Sequence, residues 1–200
     1  MGTGRLEAFS DGVLAIIITI SVLELRPPHG TDLGALWSLR SIFFSYALSF
    51  VYIGIYWNNH HPMLHVTERV TGAILWANLG LLFWLSLFPF AAGWMGGSDF
   101  AALPTAFYGV VLLLAGVAYY LLQRTIIRSQ GRGSLLAAAI GRDFKGKASP
   151  IIYAASIPLA FAAPLVSNAL FVAVAALWLV PDRRIERALE AGRRADDGSD

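Results

Sequence analysis

Apolar residues along this chain gather into long runs separated by short polar stretches, and those runs set the predicted elements. A helix needs ~20 mostly apolar residues to cross ~30 Å of hydrocarbon. The pattern predicts six such helices, at about residues 8–26, 35–57, 71–95, 102–123, 149–165 and 167–181. The third holds Trp76, Trp84 and the stretch LFPF from Leu87 to Phe90, where Pro89 is expected to kink it. Residues 150–180 form one apolar run that is too long for a single crossing at ~1.5 Å per residue. Pro164, Ser167 and Asn168 offer a tight reversal that divides it into two short helices. The expected fold class is an all-α integral membrane protein with six transmembrane helices.

Composition agrees with the pattern. Hydrophobic residues make up 56% of the chain and charged residues only 14%, against ~25% charged in a soluble domain. A single water-soluble core could not hide this much apolar surface, so lipid is the second solvent. The first run is followed by Glu24, Arg26 and two prolines without a small-x-small cleavage site, so it is read as a permanent span. Leu6 stands where a myristoylation signal needs Ser or Thr.

Charge then orients the helices. With six spans, one side collects Arg5, Arg69, the 124–147 loop (Arg124, Arg128, Arg132, Arg142, Lys145, Lys147) and the tail (Arg183, Arg184, Arg187, Arg193, Arg194), or 13 of the 15 Lys and Arg residues. The other side keeps Arg26 and Arg40, beside Asp32 and Asp99. The positive-inside rule places both termini in the cytoplasm. The division is a transmembrane domain over 1–181 and a basic cytoplasmic tail over 182–200. Within the tail, 182–194 reads as a surface helix at the lipid headgroups and ADDGSD as disordered.

Enzyme chemistry is scarce. The absence of cysteine excludes disulfides, thiolate metal sites and cysteine nucleophiles. GRGS at 131–134 lacks the lysine and the preceding strand of a phosphate loop. His60, His61 and His65 lie in NNHHPMLH, but Pro62 interrupts and no HExxH glutamate is present, so they are read as hydrogen-bonding imidazoles rather than metal ligands. There is no TVGYG-like carbonyl filter and no arginine-rich voltage-sensing helix. An ion path, if there is one, must be built from side chains.

The first helix carries the remaining signal, in RLEAFSDGVLAIIITISVLELRPP. Ser10 or Asp11 could be a simple helix N-cap. That reading leaves Arg5, Phe9, Ser10 and Asp11 unexplained as a set, at the spacing R-x-x-x-F-S-D. The set resembles the signature of the bacterial TMEM175-type potassium channels. The likeness runs the length of the chain: a first helix ending in an acid and prolines, a second ending at Trp57 with Asn and His beyond, the LFPF helix, a basic loop and two short last helices.

The resemblance implies a potassium-permeable cation channel in a prokaryotic cell membrane, multi-pass, with no cofactor and no enzymatic or nucleic-acid role. Its partners would be three further copies of itself, the lipid bilayer, and K+ and other monovalent cations. Four subunits would surround a pore lined by their first helices. Counting from Asp11, Gly12, Ile16, Thr19, Ile20 and Leu23 would face the axis, with the constriction at Ile16, Ile20 and Leu23 and a hydroxyl from Thr19. Arg5, Phe9, Ser10 and Asp11 would form a structural clasp off the pore, its partners drawn from Trp57, Asn58, His60, His61 and Asn78. Glu24, Asp32 and Asp99 near the outer mouth would either raise the local cation concentration or be plain solvated loop acids. The alternative reading is a small-solute or proton-coupled transporter, which predicts paired mid-membrane charges and matching halves. A membrane enzyme would have only the histidines near 60 to work with.

Overall fold

The computed structural model describes residues 2–131, 136 and 144–179, and every element among them is helical. In chain order these are α1 (Thr3–Leu23), α2 (Leu33–Trp37), α3 (Arg40–His65), α4 (Gly72–Ser86), α5 (Phe88–Gly97), α6 (Ala102–Gln130), α7 (Phe144–Ala162) and α8 (Pro164–Leu179). The tail at 182–200 and, in the basic loop, Arg132 and Arg142 lie outside the described residues.

Local chemistry explains the boundaries. Asp32 caps the short α2 by accepting from the Ala35 amide at 2.7 Å, and Thr71 caps α4 through the Ile74 amide. At Leu87 the helical path changes where Pro89 removes an amide, so α4 ends and α5 begins with Pro in its first turn. The two still form one apolar stretch, Gly72–Gly97. The run at 150–180 divides at Ala163, and Pro164 opens α8. Ser167 donates to the Ser156 carbonyl and Trp178 to the Ser149 hydroxyl, so α7 and α8 form an antiparallel hairpin.

Side-chain contacts give the directions of the rest. Glu7 meets His61 and Asp11 meets Trp57, so α1 and α3 are antiparallel. Ser49 meets Tyr108 and Tyr119 meets the Asn59 carbonyl, so α3 and α6 are parallel. Helices α1, α4–α5 and α7 run one way; α3, α6 and α8 run the other. Among the described residues, three segments are both long and apolar enough to cross a membrane: α1, Gly72–Gly97 and α6.

The sequence-based boundaries need one consequential correction. The first helix starts at Thr3, with Gly2 at its cap, rather than near residue 8. Ser10 and Asp11 therefore lie inside the helix, and the N-cap reading of both is overturned. Their side chains are free to reach other helices because the amides beside them are already bonded within α1.

The core is aromatic and tightly drawn. Phe88 packs edge-on against Tyr56 and Tyr108, and Tyr108 against Phe171. Helices α3 and α5 approach through Gly96, where an added Cβ would lie 2.7 Å from the Ile42 Cα and 2.9 Å from the Ser41 carbonyl. The obstacle is backbone, which cannot rotate away. Gly96→Ala should therefore push the two helices apart and cost about 1–3 kcal/mol, read as a lowered thermal midpoint of the detergent-purified protein. An unchanged midpoint would mean that the α3–α5 contact yields freely.

Candidate functional site

Helix α1 has two faces. Leu6, Ser10, Leu14, Ile17 and Ser21, spaced by four, four, three and four, are buried against the bundle. Among the described residues, nothing covers the opposite face. Gly12, Ile16, Thr19, Ile20 and Leu23 are all exposed, Ile16 at 57% and Leu23 at 74%, while neighbouring Ile17 is 4% exposed. Phe9 continues this open face toward the N-terminus, at 50% exposure. The Thr19 hydroxyl donates to the Ile16 carbonyl at 2.9 Å. That bond uses its only proton and leaves the oxygen lone pairs outward.

The buried face is held by a ladder of polar contacts at the N-terminal end of α1. At its centre, the buried Asn78 of α4 joins α1 to α3. His60 Nε2 lies 2.7 Å from Asn78 Oδ1, and Asn78 Nδ2 donates to Ser10 Oγ at 2.9 Å. Ser10 in turn donates to the Leu6 carbonyl at 2.8 Å. An amide oxygen only accepts, so His60 carries its proton on Nε2 and the chain runs one way, from His60 through Asn78 and Ser10 to the α1 backbone. All three side chains are at most 2% exposed.

Two further bonds flank this chain toward solvent. Trp57 Nε1 donates to Asp11 Oδ1 at 3.1 Å, and His61 Nδ1 lies 2.7 Å from Glu7 Oε1. The His61 ring stacks on His65 at 6.3 Å. Glu7 and Asp11 are one turn apart on α1, as are Trp57 and His61 on α3, so two antiparallel helices bring two rungs into register.

Five sequence-selected residues thus meet: Ser10, Asp11, Trp57, His60 and Asn78, with His61 beside them. Two do not. Arg5 is exposed and its side chain makes no hydrogen bond or ion pair among the described residues, and Asn58 is exposed without a side-chain bond. The expectation that the whole motif is a buried, paired charge cluster fails for Arg5, and Asp11 is only half-buried. Sequence reasoning missed Glu7, although its spacing of four from Asp11 marks it as sharing that face. At the other end of α1, Glu24 lies against Gly93 of α5, and Ser41 donates to Asp99 at 2.5 Å.

An all-helical bundle with an uncovered apolar face on its first helix, fastened by a polar clasp, defines an integral membrane protein rather than a soluble one. Comparison with known proteins gives its family. Residues 5–89 match the family model of the endosomal/lysosomal potassium channel TMEM175. A potassium channel of Chryseobacterium sp. (strain P1-3) is 50% identical over 190 residues, covering 95% of this chain and 99% of that protein. The human endosomal/lysosomal proton channel TMEM175 is 33% identical over 95 residues, covering 42% of this chain and 18% of its own. The crystal structure of a lysosomal potassium-selective channel TMEM175 homolog from Chamaesiphon minutus superposes with a TM-score of 0.80 at 25% identity, covering 90% of this chain and 97% of that one. The chain belongs to the TMEM175 potassium channel family. It is a membrane channel and not an enzyme.

Proposed function

We propose that this protein conducts K+ passively through a homotetrameric pore lined by four copies of α1. The observation that carries the reading is the uncovered stripe of Gly12, Ile16, Thr19, Ile20 and Leu23, on the helix face opposite the clasp. A ring of four isoleucines narrows a path without filling it, because water leaves a tight apolar neck and the ion cannot follow. Thr19 offers outward lone pairs one turn beyond Ile16. The clasp of Ser10, Asp11, Trp57, His60, His61 and Asn78 fixes the tilt of the helix that carries the ring, and Arg5 and Phe9 lie on its solvent side, available to a neighbouring copy. Residues 1–181 form the channel domain, with six crossings of a prokaryotic plasma membrane and both termini in the cytoplasm. K+ is the permeating ion and other monovalent cations share the path.

The transporter alternative requires paired charges inside the membrane. Among the described residues the buried polar side chains are Ser, Thr, Asn, Gln and His60, with no Asp, Glu, Lys or Arg. That inventory favours a passive path.

Assembly is the first test. Native mass spectrometry from detergent should release a species of four chains, and a monomer that still carried K+ in liposomes would overturn the pore on the symmetry axis. Flux should rise in proportion to K+ well beyond millimolar concentrations. Saturation with counter-ion exchange would favour a carrier. Proton flux is measured in the same vesicles, since the human relative is called a proton channel.

A further inference from the structure

Two buried side-chain atoms have no hydrogen-bond partner among the described residues: Thr105 Oγ1 on α6 and Asn168 Oδ1 on α8. Thr105 is fully buried and Asn168 is 5% exposed. Every other buried Ser or Thr hydroxyl among those residues is bonded, most of them to the carbonyl four residues earlier. Thr105 lacks that bond, although the Ala101 carbonyl takes its backbone amide at 3.0 Å. The Asn168 amide is oriented by its other end, where Nδ2 donates to the Pro164 carbonyl at 2.9 Å. A carbonyl only accepts, so exchanging the two ends would set oxygen against oxygen. Oδ1 therefore stays turned away from Pro164, and it needs a donor that the chain does not supply.

The two atoms belong to one place. On α6, position 105 projects between positions 108 and 109 when viewed down the axis, at about 100° per residue. Both of those meet α8 at Phe171: the Tyr108 ring lies 5.6 Å away, and a Cβ added to Gly109 would lie 3.1 Å from Phe171 Cζ. Helices α6 and α8 run the same way, so one turn back from this contact on each lie Thr105 and Asn168. The end of α7 reaches the same depth. The Gly109 Cβ would also lie 3.2 Å from Ile157 Cγ1, and buried Ala160 is one turn beyond Ile157 on this antiparallel helix. Its carbonyl stands four residues before Pro164, which has no amide to give it.

We propose that a single buried water binds here and joins α6, α7 and α8. It would accept from the Thr105 hydroxyl and donate its protons to Asn168 Oδ1 and the Ala160 carbonyl, about the number of bonds usual for an internal water. A neutral guest suits the place, because no Asp or Glu is buried among the described residues to balance a cation, and two acceptors repel an anion. The water ties the turn of the α7–α8 hairpin to α6, and it does not depend on the ion path.

Thr105→Val tests this by the sign of its effect, since valine keeps the shape and removes the hydroxyl. With the water bound, the variant loses the water's donor, and the thermal midpoint of the detergent-purified full chain should fall by about 2–4 °C. Without it, valine would only relieve an unsatisfied hydroxyl, so an unchanged or raised midpoint would overturn the site. A wild-type crystal structure sharp enough to show waters should place one peak within about 2.7–3.2 Å of both Thr105 Oγ1 and Asn168 Oδ1. No peak there, or one that reaches only one of the two atoms, would overturn the bridge. An anomalous peak at the same point in crystals grown with rubidium would make the guest a cation and overturn the water. If Thr105→Val gives no folded protein, the wild-type density decides.

Discussion

Ile16→Asn should raise the basal K+ flux by about tenfold or more, equivalent to ~1.4 kcal/mol off the barrier, whereas Ile17→Asn should give little protein to measure. The two positions are adjacent and chemically identical, but α1 turns by roughly 100° between them at ~3.6 residues per turn. Ile16 is 57% exposed on the open stripe and Ile17 is 4% exposed against the bundle. An amide at 16 lets water stay in the neck, and the ion stays hydrated with it. Discrimination against Na+ should weaken for the same reason. An amide at 17 is buried among Leu14 and the core without a partner, which costs about 2–4 kcal/mol. Liposome flux at matched protein levels reads the first result, and the yield of folded protein reads the second. Equal flux from wild type and a correctly assembled Ile16→Asn would place the constriction elsewhere.

Asn78→Leu should destabilise the protein by about 3–5 kcal/mol, more than Asp11→Ala, which should cost ~0.5–1.5 kcal/mol. Losing the Asn78 amide leaves two buried groups stranded, the His60 Nε2 proton and a Ser10 lone pair. Losing the Asp11 carboxylate releases an indole N–H on a half-exposed Trp57, where water replaces the bond. Thermal midpoints of the purified variants order the two. Apolar replacement of all three members, Ser10→Ala with His60→Phe and Asn78→Leu, removes every stranded group and should recover most of the stability. If the clasp also sets the tilt of α1, the recovered triple variant should still show altered open probability. A triple variant that gates like wild type would reduce the chain from His60 to Ser10 to a packing device. An Asp11→Ala variant less stable than Asn78→Leu would invert the ranking.

That ranking differs from what the motif alone implies, and the reason is physical. R-x-x-x-F-S-D makes Asp11 the conspicuous residue because it is charged in an apolar run. The cost of removing a group depends on its burial and on what it leaves behind. Neither is a property of the local sequence. Asn78 lies 68 residues beyond Ser10, within a run otherwise apolar apart from its flanks, and nothing in its neighbours marks it as the centre of a network.

The sequence by itself determined the class of this protein and most of its elements. Long apolar runs with few charges leave no solvent but lipid, and backbone bonding in lipid leaves no element but helix for such runs. Pro89 and Pro164 fix the breaks at Leu87 and Ala163 because proline lacks the amide that a continuing helix requires. The tertiary structure decided the faces. Nearly every position from 12 to 23 is apolar, so periodicity cannot say which side of α1 is turned out. Only the packing of Leu6, Leu14 and Ile17 against α3, α4 and α5 leaves Ile16 and Ile20 uncovered. Starting α1 at Thr3 turned Ser10 and Asp11 from caps into cross-links. The antiparallel register of α1 and α3 brought Glu7 to His61 and Asp11 to Trp57, while His60, next to His61 in the sequence, turned to Asn78. Contacts between distant segments depend on register and helix rotation, which a one-dimensional pattern of near-uniform hydrophobicity does not encode.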